Sequence, residues 1–308
     1  MFIGIEIGGT KLQIVVSNDD LEITQRFRFT VNYERGAIDI QEKIKVAIDK
    51  ILKTNNVKGI GVGFGGPINW QTGEIAQSFH VKGWTNFNIK HWLSVTYKVP
   101  IFVENDANVA ALGEAMQGAG LHKNPIFYVT VGSGIGSGLV VDKKIYHGQK
   151  MGEAEFGHIR LDKNGTVLQD VCSGWAIDAQ IRKKMEDEPK SSFTQAVKNL
   201  PIYNEKQGGE TKYLTYLLDS DPFAKELLQT VTDNIAFALS HAVHLFHPEI
   251  IIIGGGVSLM GEIFVNQIHE NLKRYVMDAF QPVPNVVLAH LEQEVVPVGA
   301  LNLVKINL

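Results

Sequence analysis

Apolar and polar positions divide the chain into two stretches that follow the same plan. Residues 2–7 (FIGIEI) and 12–17 (LQIVVS) are apolar runs of strand length, separated by the glycine-rich segment GGTK. Residues 126–131 (IFYVTV) repeat this arrangement, with GSG at 132–134 and a second apolar run after it. Two strands joined by a short glycine turn form a β-hairpin. The repetition predicts two related α/β halves with a cleft between them.

The remaining pattern predicts the other elements. After the polar turn NDD, a third strand is expected at 21–30, and it is followed by a helix over 38–53 and a buried strand over 57–64. Further along the chain, we predict a strand at 101–104, helices over 107–118, 172–187 and 221–246, a loop at 200–211, a strand before the glycines of 254–256, and a closing helix over 295–306.

Composition narrows the class of protein. The chain has 308 residues, 44% of them hydrophobic, and a net charge of −4 without a basic cluster, which gives no indication of nucleic-acid binding. No run of 18 apolar residues predicts a membrane span, and the first residues predict a strand rather than a signal peptide. With Cys172 as the single cysteine, we expect a cytoplasmic protein without disulfides.

The segment 101–112 (IFVENDANVAAL) carries the first candidate for chemistry. An apolar strand ends at Glu104, the short polar pair Asn105–Asp106 follows, and a helix of small residues begins. A carboxylate at a helix N-terminus is stabilised by unpaired backbone N–H groups, so Asp106 alone could be only an N-cap.

The glycine turns suggest a reaction class when they are taken together with this carboxylate. Backbone N–H groups and hydroxyls at two hairpin tips can form a concave site for phosphates. The third glycine cluster, 254–256, would let a flat base approach the backbone. Familiar nucleotide loops run from a strand into a helix, so neither a Walker loop nor a dinucleotide fingerprint is supported. The combination indicates nucleotide-dependent phosphoryl transfer, in which one carboxylate accepts a hydroxyl proton.

Glu155 and His158 form a second candidate pair in the segment GEAEFGH. They are three residues apart, so one helical turn would align them. A carboxylate and an imidazole suit recognition of sugar hydroxyls. A surface pair and a metal site are the alternatives, although the sulfur ligands of a zinc site are missing.

In combination, these motifs resemble those of the ROK family of sugar kinases and sugar-responsive repressors, within the actin, hexokinase and Hsp70 superfamily. The resemblance spans nearly the whole chain and rests on IEIGGTK (5–11), VENDAN (103–108), VTVGSGIGSG (129–138), EFGH (155–158), SGWAI (173–177) and IGGGVS (253–258). It implies a glucokinase-like enzyme with duplicated actin-like ATPase domains of the ribonuclease H-like α/β fold. The expected domains are 1–105 plus 293–308, and 106–292.

The resemblance also assigns roles to residues. Asp106 would be the general base that accepts the proton of a sugar hydroxyl, in a hexose or amino sugar. The expected sugar contacts are Gly66, His80, Asn105, Asp106, Glu155, His158 and Gln169. ATP would contact Glu6, Gly9, Thr10, Lys11, Gly132, Ser133, Gly134, Gly255 and Gly256. Mg²⁺ would be the metal cofactor, and a homodimer the expected assembly.

The sequence departs from the family pattern at four places. Glu6 stands where the family has the Asp that positions Mg²⁺ through water. The family's cysteine-rich zinc segment is replaced by a stretch whose one cysteine is Cys172, so we expect no structural zinc. Gln169 and His80 stand where the family has a sugar-binding Glu and an Asn. Because buried polar groups discriminate strongly between hydroxyl patterns, we expect a substrate other than plain glucose or N-acetylmannosamine.

Three hypotheses follow from the resemblance. The first is an ATP-dependent sugar kinase, and the second is a catalytically weak sugar-binding sensor, which the changes at Glu6, Gln169 and His80 would favour. The third, a DNA-binding repressor, is disfavoured because the first strand begins at residue 2, which leaves no helix-turn-helix before it, and because the net charge is negative. The expected partner is a small sugar, not a nucleic acid or a membrane.

Overall fold

Two compact units make up the protein. The computed structural model describes residues 1–76, 78, 81–149, 154–204 and 208–308. Unit 1 consists of Met1–Lys123, Gly138–Ala154 and His290–Leu308, and unit 2 consists of Asn124–Ser137 and Glu155–Ala289. His80 lies outside the described residues, so its predicted role stays a prediction.

The sheet of unit 1 has five strands in the order β3-β2-β1-β4-β7, of which β1, β4 and β7 are parallel and β2 and β3 are antiparallel neighbours. The strands are β1 (Phe2–Ile7), β2 (Lys11–Ser17), β3 (Ile23–Thr30), β4 (Gly59–Phe64) and β7 (Ile101–Asn105), and β5 (Ile68–Asn69) pairs with β6 (Glu74–Ile75) in a separate small hairpin. Its helices are α1 (Ala37–Leu52), α2 (Ile89–Tyr97), α3 (Asp106–Gln117) and α10 (Val295–Asn307).

A second sheet repeats this topology in the order β10-β9-β8-β11-β12. Its strands β8, β11 and β12 belong to unit 2, and β10 belongs to unit 1. The strands are β8 (Ile126–Val131), β9 (Ile135–Val141), β10 (Lys144–Ile145), β11 (Ile250–Gly254) and β12 (Asn285–Leu288), and the boundary between the units falls within β9. The helices are α4 (Leu168–Cys172), α5 (Gly174–Asp187), α6 (Ser192–Lys198), α7 (Leu214–Leu217), α8 (Pro222–Phe246) and α9 (Glu262–Leu272). Among the described helices, none combines the length and the apolar character needed to cross a lipid bilayer.

The duplicated plan predicted from the sequence is confirmed by the two sheets. Each begins with a glycine-turn hairpin, and in each sheet the first strand of the hairpin pairs with a parallel strand, which in turn pairs with a second parallel strand. The helix predicted over 172–187 is α5, which begins two residues later because Ser173 is extended and its hydroxyl caps the helix by accepting from the N–H of Ala176 at 3.3 Å. The short helix α4 before it was not predicted.

The boundary between the units also differs from the predicted one at 105/106. Helix α3 belongs to unit 1 because it packs along α10, which itself crosses β1 and β4. A polar turn between a strand and a helix resembles a linker in sequence, but here both elements belong to one core.

Glycines allow α3, α10 and β4 to approach closely. A Cβ added at Gly61 of β4 would lie 2.0 Å from the carbonyl oxygen of Ala300, and one at Gly299 of α10 would lie 1.8 Å from that of Val109. Gly113 of α3 is similarly close to the carbonyl oxygen of Val295, at 2.6 Å. Backbone therefore packs against backbone, and the start of α3 has a fixed position relative to the sheet.

We expect Gly299→Ala to destabilise unit 1, although alanine is the better helix former. The methyl group has no space beside Val109, and overpacking of this kind costs roughly 1–3 kcal/mol. Chemical denaturation would measure the loss. Ile306→Ala, at an exposed position of the same helix, is the control and should change the free energy of unfolding by less than about 1 kcal/mol. Equal stabilities of Gly299→Ala and the parent protein would contradict the packing argument.

Candidate active site

Three parallel strands of unit 1 end side by side. Ile7 of β1 is in register with Phe64 of β4, which is in register with Asn105 of β7. Just beyond these ends, the N–H of Gly65 donates to the carbonyl oxygen of Ile7 at 2.9 Å. Ligands of α/β proteins commonly bind at the carboxyl ends of parallel strands. The predicted residues Asn105 and Asp106 are therefore at the edge of the sheet where a ligand site is expected.

The N-cap of α3 is Asn105 rather than Asp106. The Oδ1 atom of Asn105 accepts from the backbone N–H groups of Ala107 at 2.9 Å and Asn108 at 3.2 Å. Asp106 is the first helical residue, and its Oδ1 atom accepts from the N–H of Ala107 at 2.8 Å. Because Asn105 holds the capping position, capping alone does not account for the carboxylate of Asp106.

Asp106 and Asn105 both contact the segment after β4. A Cβ added at Gly65 would lie 3.1 Å from Oδ2 of Asp106, so glycine leaves the carboxylate room at this point. The side-chain amide of Asn105 donates to the carbonyl oxygen of Gly66 at 3.3 Å. Gly66 has a φ of 150°, which favours glycine. The structure therefore brings together the predicted residues Gly66, Asn105 and Asp106.

The first glycine turn is the predicted hairpin. The N–H of Gly8 donates to the carbonyl oxygen of Lys11 at 3.0 Å, and no helix follows the turn. Thr10 and Lys11 are exposed and Gly9 is half-buried. This turn therefore presents backbone and a hydroxyl to solvent, as a phosphate site requires.

Glu6 is buried and both of its carboxylate oxygens have partners. Oε1 is 3.0 Å from Nζ of Lys11, and Oε2 accepts from Nε2 of Gln13 at 3.2 Å. Burial raises the pKa of Glu6, and the charge and hydrogen bond of Lys11 partly oppose that shift. Each carboxylate oxygen can accept two hydrogen bonds, so Glu6 retains capacity for metal-bound water. The residue thus fits a Mg²⁺ role through water, in competition with Lys11.

The second glycine turn lies in unit 2 and has an open side. The N–H of Gly132 donates to the carbonyl oxygen of Gly134 at 2.9 Å, and Ser133 at the tip is exposed. A Cβ added at Gly132 would meet nothing within 4 Å. The carbonyl oxygen of Gly132 also accepts from the N–H of Gly174 at 2.7 Å, so this hairpin lies against the start of α5.

The third glycine cluster packs on the end of β8. Gly255 has a φ of +87°, and an added Cβ would lie 2.5–2.7 Å from backbone atoms of Val131. At Gly256 an added Cβ would meet nothing within 4 Å. The predicted nucleotide residues of unit 2 are thus neighbours, and two of them face open space.

Glu155 and His158 lie on either side of two buried residues. Phe156 and Gly157 are buried in a short 3₁₀ helix (Phe156–His158), while Glu155 and His158 are exposed. A Cβ at Gly157 would lie 2.2 Å from the carbonyl oxygen of Ile135, so the turn packs tightly on β9. Glu155 directly precedes the 3₁₀ helix with a non-helical backbone, and His158 is its last residue.

Gln169 lies beside the second glycine turn. Its Oε1 atom is 3.5 Å from a Cβ added at Gly134, and the residue is half-buried on α4.

Cys172, on the same helix, is buried against the carbonyl oxygen of Val231, and burial raises the pKa of its thiol to about 12. Within the described ranges, no three His, Cys, Asp or Glu residues cluster as metal ligands would.

A cavity of about 460 Å³ lies elsewhere in unit 2. Its lining includes His247, Pro248, Pro282 and Asn285, at the amino ends of β11 and β12. The glycine turns are at the carboxyl ends of these parallel strands, so the cavity is separate from the candidate site.

Sequence reasoning missed a polar group next to Asp106. Glu104 is 1% exposed, and its Oε1 atom accepts from the N–H of Asn105 at 2.9 Å and from Nδ2 of Asn108 at 3.2 Å. Its Oε2 atom is paired closely with Nε2 of His147. The only sequence signal is a carboxylate that interrupts an apolar strand, and its partner is 43 residues away.

Comparisons with known proteins agree with this arrangement. A model of the ROK family matches residues 2–307. A glucokinase from Thermotoga maritima is 30% identical over 312 residues, covering 98% of this chain and 96% of the relative. A glucokinase from Halalkalibacterium halodurans is 31% identical over 292 residues, covering 90% of this chain and 86% of the relative.

A solved structure supports the fold class. The crystal structure of a ROK family glucokinase from Streptomyces griseus in complex with glucose and AMPPNP superposes with a TM-score of 0.83 at 26% identity, covering 98% of each chain. The duplicated α/β fold and the family resemblance expected from the sequence are therefore confirmed.

We expect Glu6→Gln to become progressively more stabilising as pH rises. Because the folded pKa of Glu6 is raised, the stability that its protonated form contributes is complete below the ordinary value of 4.5 and is lost as pH rises through the folded pKa. The glutamine variant carries no such proton. The difference in free energy of unfolding between variant and parent should therefore grow from pH 4 to pH 8.

Urea denaturation at several pH values would measure this difference. Glu34→Gln, at an exposed position, is the matched control and should give a nearly constant difference. A constant difference for Glu6→Gln as well would contradict the burial argument.

Proposed function

The chain belongs to the ROK family, and from that premise we propose that it is an ATP-dependent sugar kinase. It transfers the γ-phosphoryl group of ATP to a hydroxyl of a hexose or amino sugar, with Asp106 as general base. The observation that carries the proposal is the position of Asp106. It lies at the carboxyl ends of three parallel strands, contacts the glycine at 65, and leaves the N-cap role to Asn105.

The proposed reaction needs one proton acceptor and a site for phosphate. The carboxylate of Asp106 accepts the hydroxyl proton while the sugar oxygen forms a bond to the γ-phosphorus. The bond from that phosphorus to the β,γ-bridging oxygen breaks, and ADP leaves. Asn105, tied to the carbonyl oxygen of Gly66, keeps the turn before Asp106 in place. We assign sugar-hydroxyl contacts to Gly66, Asn105, Glu155 and His158.

The glycine turns are the proposed nucleotide contacts. The hairpins of Thr10 and Ser133 offer hydroxyls and backbone N–H groups to phosphate oxygens, which suits phosphoryl transfer because that reaction depends mainly on positioning and charge stabilisation. The open faces of Gly132 and Gly256 leave room for the nucleotide. Mg²⁺, held through water by Glu6, would neutralise charge on the phosphates. A homodimer and a cytoplasmic location remain predictions.

One observation favours a weakly active sugar sensor as the second candidate. Glu6 is already paired with Lys11 and Gln13, and this competition would weaken metal binding. Its glutamate side chain also places the carboxylate one methylene further from the backbone than the family's aspartate, and Mg²⁺ tolerates altered geometry poorly. A sensor would bind the sugar without forming phosphorylated product.

We expect Asp106→Asn to abolish transfer while preserving sugar binding. ADP release with Mg-ATP would be measured across hexoses, N-acetylhexosamines and deoxy sugars. Loss of a general base lowers kcat by about 10²–10⁴-fold, whereas the Kd of the sugar by calorimetry should change by less than about threefold because asparagine keeps the shape and one acceptor.

Asp187→Asn, an exposed acid, is the matched control and should retain activity. An active Asp106→Asn variant would exclude this base. Sugar binding to the parent protein without ADP release, for every sugar tested, would favour the sensor instead.

We expect Gln169→Glu to change the preferred sugar. An amide both donates and accepts hydrogen bonds, whereas a carboxylate only accepts. The parent protein should favour a sugar that presents an acceptor to this residue, and the variant a sugar that presents a hydroxyl donor. The ratio of kcat/KM values for two such sugars should shift by about 10-fold or more.

Gln195→Glu, at an exposed position of α6, is the control substitution. An unchanged ratio in Gln169→Glu would remove Gln169 from the proposed sugar contacts.

A further inference from the structure

A buried carboxylate lies two residues before the proposed base. Glu104, the residue two positions before Asp106, is 1% exposed, and a charge so well buried is costly unless it is paired and hydrogen-bonded. Its Oε1 atom accepts from the backbone N–H of Asn105 at 2.9 Å and from the side-chain amide of Asn108 at 3.2 Å. Glu104 thus contacts the turn on both sides of Asp106.

The other oxygen of Glu104 is bound by a histidine from a distant segment. His147 follows the short strand β10, and its Nε2 atom is closely paired with Oε2 of Glu104. The histidine side chain is only 21% exposed. This contact connects the segment after β10 with the end of β7, within unit 1.

An aromatic ring fixes the histidine on its other side. The imidazole of His147 stacks on the indole of Trp70, with ring centroids 4.1 Å apart and an interplanar angle of 16°. Trp70 directly follows β5, a few residues after Gly65 and Gly66, which contact Asp106 and Asn105. The segment after β4 thus contacts the turn between β7 and α3 directly. It is also connected to that turn through Trp70, His147 and Glu104.

We propose that His147 is a positioning residue for Asp106. This proposal rests on the proposed function, because the role of His147 is to hold the general base in place. By donating to Glu104 while stacked on Trp70, His147 holds the carboxylate that orders the turn at Asn105 and the first residues of α3. Catalysis by a positioned base is sensitive to displacement, and a shift of about 1 Å can cost 10²-fold in rate.

The test distinguishes the hydrogen bond from His147 to Glu104 from the stacking of His147 on Trp70. His147→Phe keeps an aromatic ring on Trp70 but leaves Oε2 of Glu104 without its donor, whereas His147→Gln restores an amide donor. We expect His147→Phe to lower kcat by about tenfold or more, with the KM values of sugar and ATP changed by less than twofold. His147→Gln should recover most of the lost kcat.

A matched control is available in unit 2. His247 stacks on Phe280 with centroids 4.0 Å apart and an interplanar angle of 8°, at the amino ends of the strands and away from the proposed site. His247→Phe should therefore leave kcat unchanged, whatever its effect on thermal stability.

Three outcomes would overturn the proposal in an active enzyme. The first is a parent-like kcat in His147→Phe. The second is an equal loss of kcat in His147→Phe and His147→Gln. The third is a change confined to thermal stability, since that would make the contact merely structural.

If the parent protein shows no turnover, the proposed function is contradicted but this inference is not. The positioning role can then be tested by hydrogen exchange. The backbone amides of Ala107 and Asn108, which are bound by the cap of α3, should exchange at least about tenfold faster in His147→Phe than in His147→Gln. Equal exchange in the two variants would overturn the positioning role.

Discussion

The close approach of backbone to backbone around α10 is the constraint on which the site in unit 1 depends. Gly61, Gly113 and Gly299 each bring one element within reach of a neighbouring carbonyl oxygen. Side chains at these positions would separate α3 and α10 from the sheet. Because the first residue of α3 is Asp106, any such separation would move the carboxylate away from the strand ends. The packing of α3 against α10 and the position of Asp106 are therefore linked through one helix.

Burial of charge at the strand ends is the second constraint. Glu6 and Glu104 are both nearly inaccessible, and each has partners on both oxygens. Burying a charge without partners is costly, so each of these carboxylates depends on the groups that pair with it. The two carboxylates differ in the kind of partner. Glu6 is paired with Lys11 on the other strand of its own hairpin, whereas Glu104 is paired with His147, a residue distant in sequence.

Features that depend on residues close in sequence could be predicted, whereas contacts between distant segments could not. The hairpins, the long helix α8 and the closing helix α10 follow from local apolar patterns and turn residues, and they were predicted with only small errors at their ends. The helix α4 was missed because its five residues are too few to show a helical period. The short elements β5, β6 and α7 have too few residues to show a period.

The candidate site divides in the same way. Asn105 and Asp106 are adjacent residues between a strand and a helix, so their position could be read from sequence, although the assignment of the cap to Asn105 required the geometry. The contacts among Trp70, Glu104 and His147 join segments that no local pattern relates. Tertiary packing alone brings them together, which is why sequence reasoning left Glu104 as the mere end of a strand.

The two units show how one topology can supply two kinds of site. In unit 1 the fifth strand of the sheet, β7, leads directly into a long helix whose first residue is a carboxylate. In unit 2 the corresponding strand, β12, ends at Leu288 without such a helix start. The turns that follow β8 and β11 instead contain Gly132 and Gly256, where an added Cβ would meet nothing within 4 Å. A proton acceptor requires a fixed charge, whereas a nucleotide requires accessible backbone. Under the proposed function, the acid–base residue lies in unit 1, and the open glycine faces favour nucleotide contacts in unit 2.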